Sequence, residues 1–139
     1  MAAMSNYLEN KVLDYVLRDT ADWAPTAVYL ALHTADPTDA ASGAELSDAA
    51  SANKTGYSRA AIDFNAASGG TAPWPDGSNT IEFTNSHASS SWTAVTHFGI
   101  WDASTSGNLL YHGALTTSKT IAAGDTLRFT AGSISISEA

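Results

Sequence analysis

The run Val95–Thr116, VTHFGIWDASTSGNLLYHGALT, constrains this chain more than any other stretch. Apolar and aromatic residues alternate on either side of a polar segment, Asp102–Asn108, in which Ser, Thr and Gly supply the bends. Period-two patterning on both sides of a turn predicts a long antiparallel hairpin, Trp92–Trp101 against Leu109–Thr116. Phe98, Ile100, Leu110 and Leu115 are its expected core residues, with a bulge at Gly99 able to exchange the faces. The hairpin carries packing residues and no catalytic motif.

Upstream, the period is helical. Leu8, Val12, Tyr15 and Val16 recur three and four apart between Asn6 and Asp19, and Leu13 and Leu17 widen the stripe. Asn6 is the expected N-cap, with Glu9 near the first-turn amides and Arg18 in the last turn. Leu8 and Val12 are expected to be covered, by the sheet or by a neighbouring subunit. Beyond Pro25 the period falls to two. Val28–His33, Tyr57–Phe64 and Ile81–Phe83 read as strands, and Thr126–Thr130 with Ile134–Ile136 as a final pair around Gly132. Two polar segments, Asp36–Thr55 and Asn65–Asn79, read as long loops. The expected architecture is mainly β: one domain over 1–139, with a helix at 6–19 and an antiparallel β-sandwich or jelly-roll-like body over 26–139.

Composition narrows the function classes. The chain has 139 residues, no cysteine, and 14 acidic against 6 basic residues for a net charge of −8. Nucleic acid and anionic membranes require clustered Lys and Arg, so neither is an expected partner. No apolar run is long enough to span a bilayer. The N-terminus shows neither the basic nor the apolar region of a secretory signal, which places synthesis in the cytoplasm.

The chemistry-bearing residues form no catalytic pattern. His33, His97 and His112 fall on expected strands and His87 in a loop, without metal-ligand spacing. No GxSxG elbow is present to expose a serine nucleophile. Asp36, Asp39, Glu45 and Asp48 share a loop but lack the spacing of a calcium loop. No catalytic residue, metal site or cofactor is therefore expected. The histidines read as hydrogen-bonded surface or interface residues. Trp92 and Trp101 read as core. Trp74, between Pro73 and Pro75 in a Gly-rich loop, reads as the tryptophan most exposed and as an interface anchor. Leu8, Val12, Trp74, Asp36 and Asp39 are the candidate interface residues.

Five segments carry a family resemblance: LENKVLDYVLRDT, VYLALHTADPT, GYSRAAIDF, THFGIWDASTSGNLLYHGALT and GDTLRF. Together, in order and over most of the chain, they resemble small virion proteins of tailed bacteriophages labelled tail fibre proteins. The resemblance implies a non-enzymatic virion component, foremost of a tail or baseplate fibre. Capsid decoration is the alternative within the virion, and a free carbohydrate-binding module the alternative outside it. Expected partners are other virion proteins, either of the baseplate and tail or the major capsid protein, and further copies of the chain in a homotrimer. A host surface glycan is a further candidate ligand.

Overall fold

In the computed structural model the described residues are 2–18, 24–46, 56–74 and 80–137. They form one helix, α1 (Asn6–Arg18), and nine strands. In chain order the strands are β1 (Ala3–Met4), β2 (Val28–His33), β3 (Ala60–Ile62), β4 (Thr71–Pro73), β5 (Ile81–Thr84), β6 (Val95–Trp101), β7 (Leu109–Lys119), β8 (Thr126–Phe129) and β9 (Ser135–Ser137). One antiparallel sheet has the order β1-β7-β6-β2-β3, and two antiparallel ribbons, β4-β9 and β5-β8, complete the set. A shared core joins them: Leu30, Leu32, Ile62, Val95 and Ile100 of the large sheet pack in one cluster with Trp74, Ile81, Phe83, Ile134 and Ile136. The expected β-rich, sandwich-like fold behind an N-terminal helix is the fold observed.

The β6–β7 hairpin forms as the alternation predicts. Its register shifts lie between Val95 and His97 and between Ile100 and Trp101, rather than at Gly99. Ile100 and Leu110 are buried, while Phe98 and Leu115 are half-buried. Asp102 closes the turn, since its carboxylate accepts from the Asn108 backbone N–H at 2.7 Å and the side-chain amide at 2.8 Å.

Several expectations need correction. The two C-terminal strands do not pair with each other: β8 pairs with β5, and β9 with β4. The turn at residues 131–133 redirects the chain between ribbons instead of folding it back on itself. β4 lies inside the expected loop Asn65–Asn79; its alternation is too short to register, and Pro73 stands on an edge, where a missing N–H is tolerated. β3 is confined to three residues of the expected strand Tyr57–Phe64. The helix N-cap is Ser5, not Asn6. The Ser5 hydroxyl accepts from the Leu8 N–H at 3.3 Å and donates to the Leu109 carbonyl, and the Ser5 N–H donates to the Leu110 carbonyl at 2.8 Å. One serine therefore both caps the helix and continues the pairing of β1 with β7.

The segment after β2 is not a free loop over its described part, 34–46. Pro37 and Leu46 are buried, Glu45 bridges back to His33, and the Leu46 N–H donates to the Leu32 carbonyl at 2.8 Å. This flap pairs along the edge of β2 and brings the Gly43 carbonyl to 3.4 Å from His33 Nδ1, so His33 is buried rather than at the surface. Asp19, Trp23, Asp48 and the loop portions 47–55 and 75–79 lie outside the described residues.

Candidate interaction surface

Two polar clusters look chemically active at first sight, and both are occupied internally. In the first, Arg59 reaches Glu45 with two nitrogens, at 2.9 and 2.7 Å, and donates to the carbonyls of Ala103 and Ser106 at 2.8 and 2.7 Å. Its guanidinium lies 3.9 Å from the centroid of the Trp101 ring. Tyr57 donates its hydroxyl to Glu45 at 3.0 Å and accepts from the Leu32 N–H at 3.1 Å. Trp101 in turn stacks on His33, and its indole N–H donates to the ring at 3.4 Å.

Burial sets the ionisation here. It lowers the His33 pKa to about 4, outweighing the opposing pull of Glu45, so this imidazole is neutral at physiological pH. Burial alone would raise the Glu45 carboxyl, but the hydrogen bonds and charge of Arg59 bring it below the usual range. Burial pushes the Tyr57 hydroxyl well up, with the Glu45 charge adding to it. The groups consume one another's donors and acceptors, and the product is a fixed 102–108 turn rather than a reactive atom.

The second cluster contains two of the candidate interface residues. The buried His112 imidazole meets the Asp36 carboxylate through Nδ1 and the Asp39 carboxylate through Nε2, each at 3.0 Å. The Thr38 N–H, 3.0 Å from Asp36, is the chief cause that holds the Asp36 carboxyl below its usual range; His112 and His97 add to it. The Asp39 carbonyl accepts from the Asn6 N–H at 2.9 Å. Asp36 and Asp39 thus clamp the flap, β7 and the start of α1 together. The two ring nitrogens point at different carboxylates, and among the described residues no three His, Asp or Glu side chains converge as metal ligands.

The unsatisfied surface is α1. Leu8 is buried at 3% exposure against the sheet, but Val12 is 37% exposed and Val16 and Leu17 are 69% and 74% exposed. Leu13 and Tyr15 are exposed as well. At about 100° per residue the apolar arc of this helix covers about 200°, far wider than the stripe one core needs. Its last turn carries the Asp14–Arg18 pair at 3.0 Å. Of the five candidate interface residues, the structure brings Asp36 and Asp39 together, near the base of the helix that carries Leu8 and Val12. Trp74 stands apart and is a correction: it is 2% exposed, within the core, its backbone N–H donating to the Ile134 carbonyl at 3.0 Å. Pairing of β4 with β9 turns its indole inward, which leaves no surface for it to anchor.

Sequence reasoning passed over Ser5 and Arg59. Ser5, a preferred N-cap residue type immediately before the apolar-periodic run, is a usable capping signal. Arg59 carried none, because its partners Glu45, Trp101, Ala103 and Ser106 come from three other segments.

The described residues thus combine a β-sandwich-like body, two internally occupied polar clusters and an exposed apolar helix face. The family model described as Podophage GP4 fiber I protein gp80 matches residues 3–137, so the chain belongs to this family of phage fibre proteins. No curated protein matches the chain.

Proposed function

We propose that the chain is a non-catalytic structural component of the tail fibre apparatus of a tailed bacteriophage, docked through α1 onto a second copy of itself. The observation that carries this reading is the exposed face of Val12, Leu13, Tyr15, Val16 and Leu17 on a helix whose start is held to the body. A contiguous exposed apolar patch is a liability in solution unless a partner covers it. Charge favours a homotypic partner at this place. The chain as a whole carries −8, yet Glu9, Lys11, Asp14 and Arg18 sum to zero on α1, so two such helices meet without net repulsion. Family membership supports a place in the virion, and the internally satisfied polar clusters support a role without turnover.

The test combines solution mass with location. The wild-type chain is expected to be oligomeric by light scattering, with the copy number read from the mass, and Val16→Asp with Leu17→Asp to be monomeric and folded. Antibody labelling of intact particles is expected at the tail; labelling spread over the head would favour capsid decoration instead. A wild-type monomer at high concentration would overturn the homotypic reading.

A further inference from the structure

The exposed apolar face of α1 has a concave counterpart on the same chain. A groove of about 570 Å³ opens between residues 114–119 of β7 and the segment that carries β8 and β9. Leu115, Leu127, Phe129 and Ile134 line it, and the first three are half-buried, so the chain's own core covers their apolar surface only in part. On β7, Leu115, Thr117 and Lys119 alternate onto one face. The charged residues among the described lining are Lys119 and Arg128, and Arg128 also meets Glu82 at 2.6 Å.

The helix is held at the other end of β7. Ser5 bonds to the carbonyls of Leu109 and Leu110, and α1 packs on β1 and β7. About 20 Å of strand therefore lies between the cap and the groove. Among the described residues, none of α1 lines the groove. Helix face and groove are thus two different patches of one surface. A contact between them in two copies is heterologous: each copy gives its helix to one neighbour and receives a helix from another, closing a ring or running on as a filament.

We propose that the groove between β7 and the β8–β9 segment seats α1 of a second copy. The proposal rests on the docking of α1 onto another copy and names the surface that receives it. Charge selects the groove over a second α1. Glu9 precedes Val12, Leu13 and Val16 by three, four and seven residues, so its carboxylate stands on the apolar face, while Lys11 and the Asp14–Arg18 pair lie on the opposite side. A parallel seam of α1 helices brings like Glu9 charges together, and an antiparallel pair sets each against apolar side chains, which is costly once water is excluded. The groove instead offers Glu9 two counter-charges, Lys119 and Arg128, beside an apolar floor for Val12, Leu13 and Val16. On a chain of net charge −8 this match of opposite charges is local to the two patches.

Mixing two monomeric variants of the full chain is the test. Val16→Asp with Leu17→Asp spoils the helix face and keeps the groove; Thr117→Glu with Lys119→Glu spoils the groove and keeps the helix. Thr117 and Lys119 are exposed, so the groove variant is expected to keep the wild-type circular dichroism. Each variant alone is expected at the mass of one chain by light scattering, where wild type is oligomeric. Their equimolar mixture is expected at the mass of two chains, because one intact helix then meets one intact groove and no ring can close. With the helix variant isotopically labelled and the groove variant unlabelled, saturable shifts are expected at residues 115–119 and 127–135. Ser135→Glu, an exposed change on the facing wall, is expected to act as the groove variant does and takes its place if that variant does not fold. A groove variant that stays oligomeric while the helix variant is monomeric overturns the proposal and leaves α1 paired with α1. A mixture that does not associate, or shifts that fall outside the groove, overturns it as well. A wild-type monomer overturns the docking of α1 itself, so the two failures are told apart.

Discussion

Arg59 shows how much one side chain holds in this fold. Its side chain is 6% exposed and joins the flap, through Glu45, to the 102–108 turn. Removing one partner of a buried pair leaves the other charge without compensation, so Arg59→Ala is expected to cost about 3–5 kcal/mol in urea unfolding. Arg59→Lys keeps the charge but loses the two-nitrogen fork and the stacking on Trp101, so partial recovery is expected. His33 makes stability depend on pH. Its folded value of about 4 lies below the ordinary 6.5, so the unfolded chain takes up a proton first as pH falls. Its contribution is complete above pH 6.5 and is lost as pH drops through 4, by at most about 3 kcal/mol. The lowered carboxyls of Glu45 and Asp36 act in the same direction. Urea midpoints that fall steadily from pH 7 to pH 4 are expected, and a flat profile would contradict the buried neutral imidazole. Gly99 is closed to a side chain, since an added Cβ would stand 2.7 Å from His33 Nε2 and 2.9 Å from both Leu109 Cδ1 and Trp101 Nε1.

At the scale of elements, α1 divides along its length. Its first turn is tied to β7 and the flap by Ser5, Asn6 and Leu8, while its last two turns project their apolar residues into solvent. Leu8→Ala is accordingly expected to destabilise the chain by about 2–5 kcal/mol, and Ser5→Ala by about 1 kcal/mol through the lost cap. Val12 is not fully covered by the chain's own sheet, which leaves cover by a neighbouring subunit as the reading of the stripe. With 37% of its surface exposed it makes too little contact for Val12→Asp to unfold the monomer. The substitution is expected to shift the oligomeric state while leaving the monomer's urea midpoint within the range of surface changes. Equal loss of both would mean that the helix packs on its own body more closely than its exposure indicates.

For the whole molecule, the core between the large sheet and the two ribbons sets cooperativity. Trp74 and Trp92 lie in it at 2% exposure each, and Tyr57 and Phe83 stack beside Trp92 and Phe129. Trp74→Ala is expected to cost about 3–5 kcal/mol and to melt both layers together, as seen by coincident far-ultraviolet and tryptophan fluorescence transitions. Loss of the β4–β9 ribbon alone, with the large sheet intact, would show that the layers fold separately. Because Trp74 is internal, any defect of this variant in particle incorporation is expected to track its stability.

Local patterning determined the elements that repeat over enough residues to show a period. The β6–β7 hairpin is legible because seven or more alternating residues flank a turn of Ser, Thr and Gly, and α1 because three turns repeat one apolar stripe. The same patterning named Leu8, Val12, Asp36 and Asp39, though not what each would touch. Pairings among short strands were not legible: β4, β8 and β9 have three or four residues each, and nothing local tells β8 to choose β5 over β9. Trp74 reads as exposed because two prolines flank it in a Gly-rich segment, and His33 as a surface or interface residue because its ring tip is polar. Only the fold brings β9 beside one and the Glu45 flap over the other. Arg59 and the His112 clamp likewise join residues tens of positions apart. Such meetings are decided by which sheet edges and loops the shared core draws together, a property of the packed chain and of no single segment.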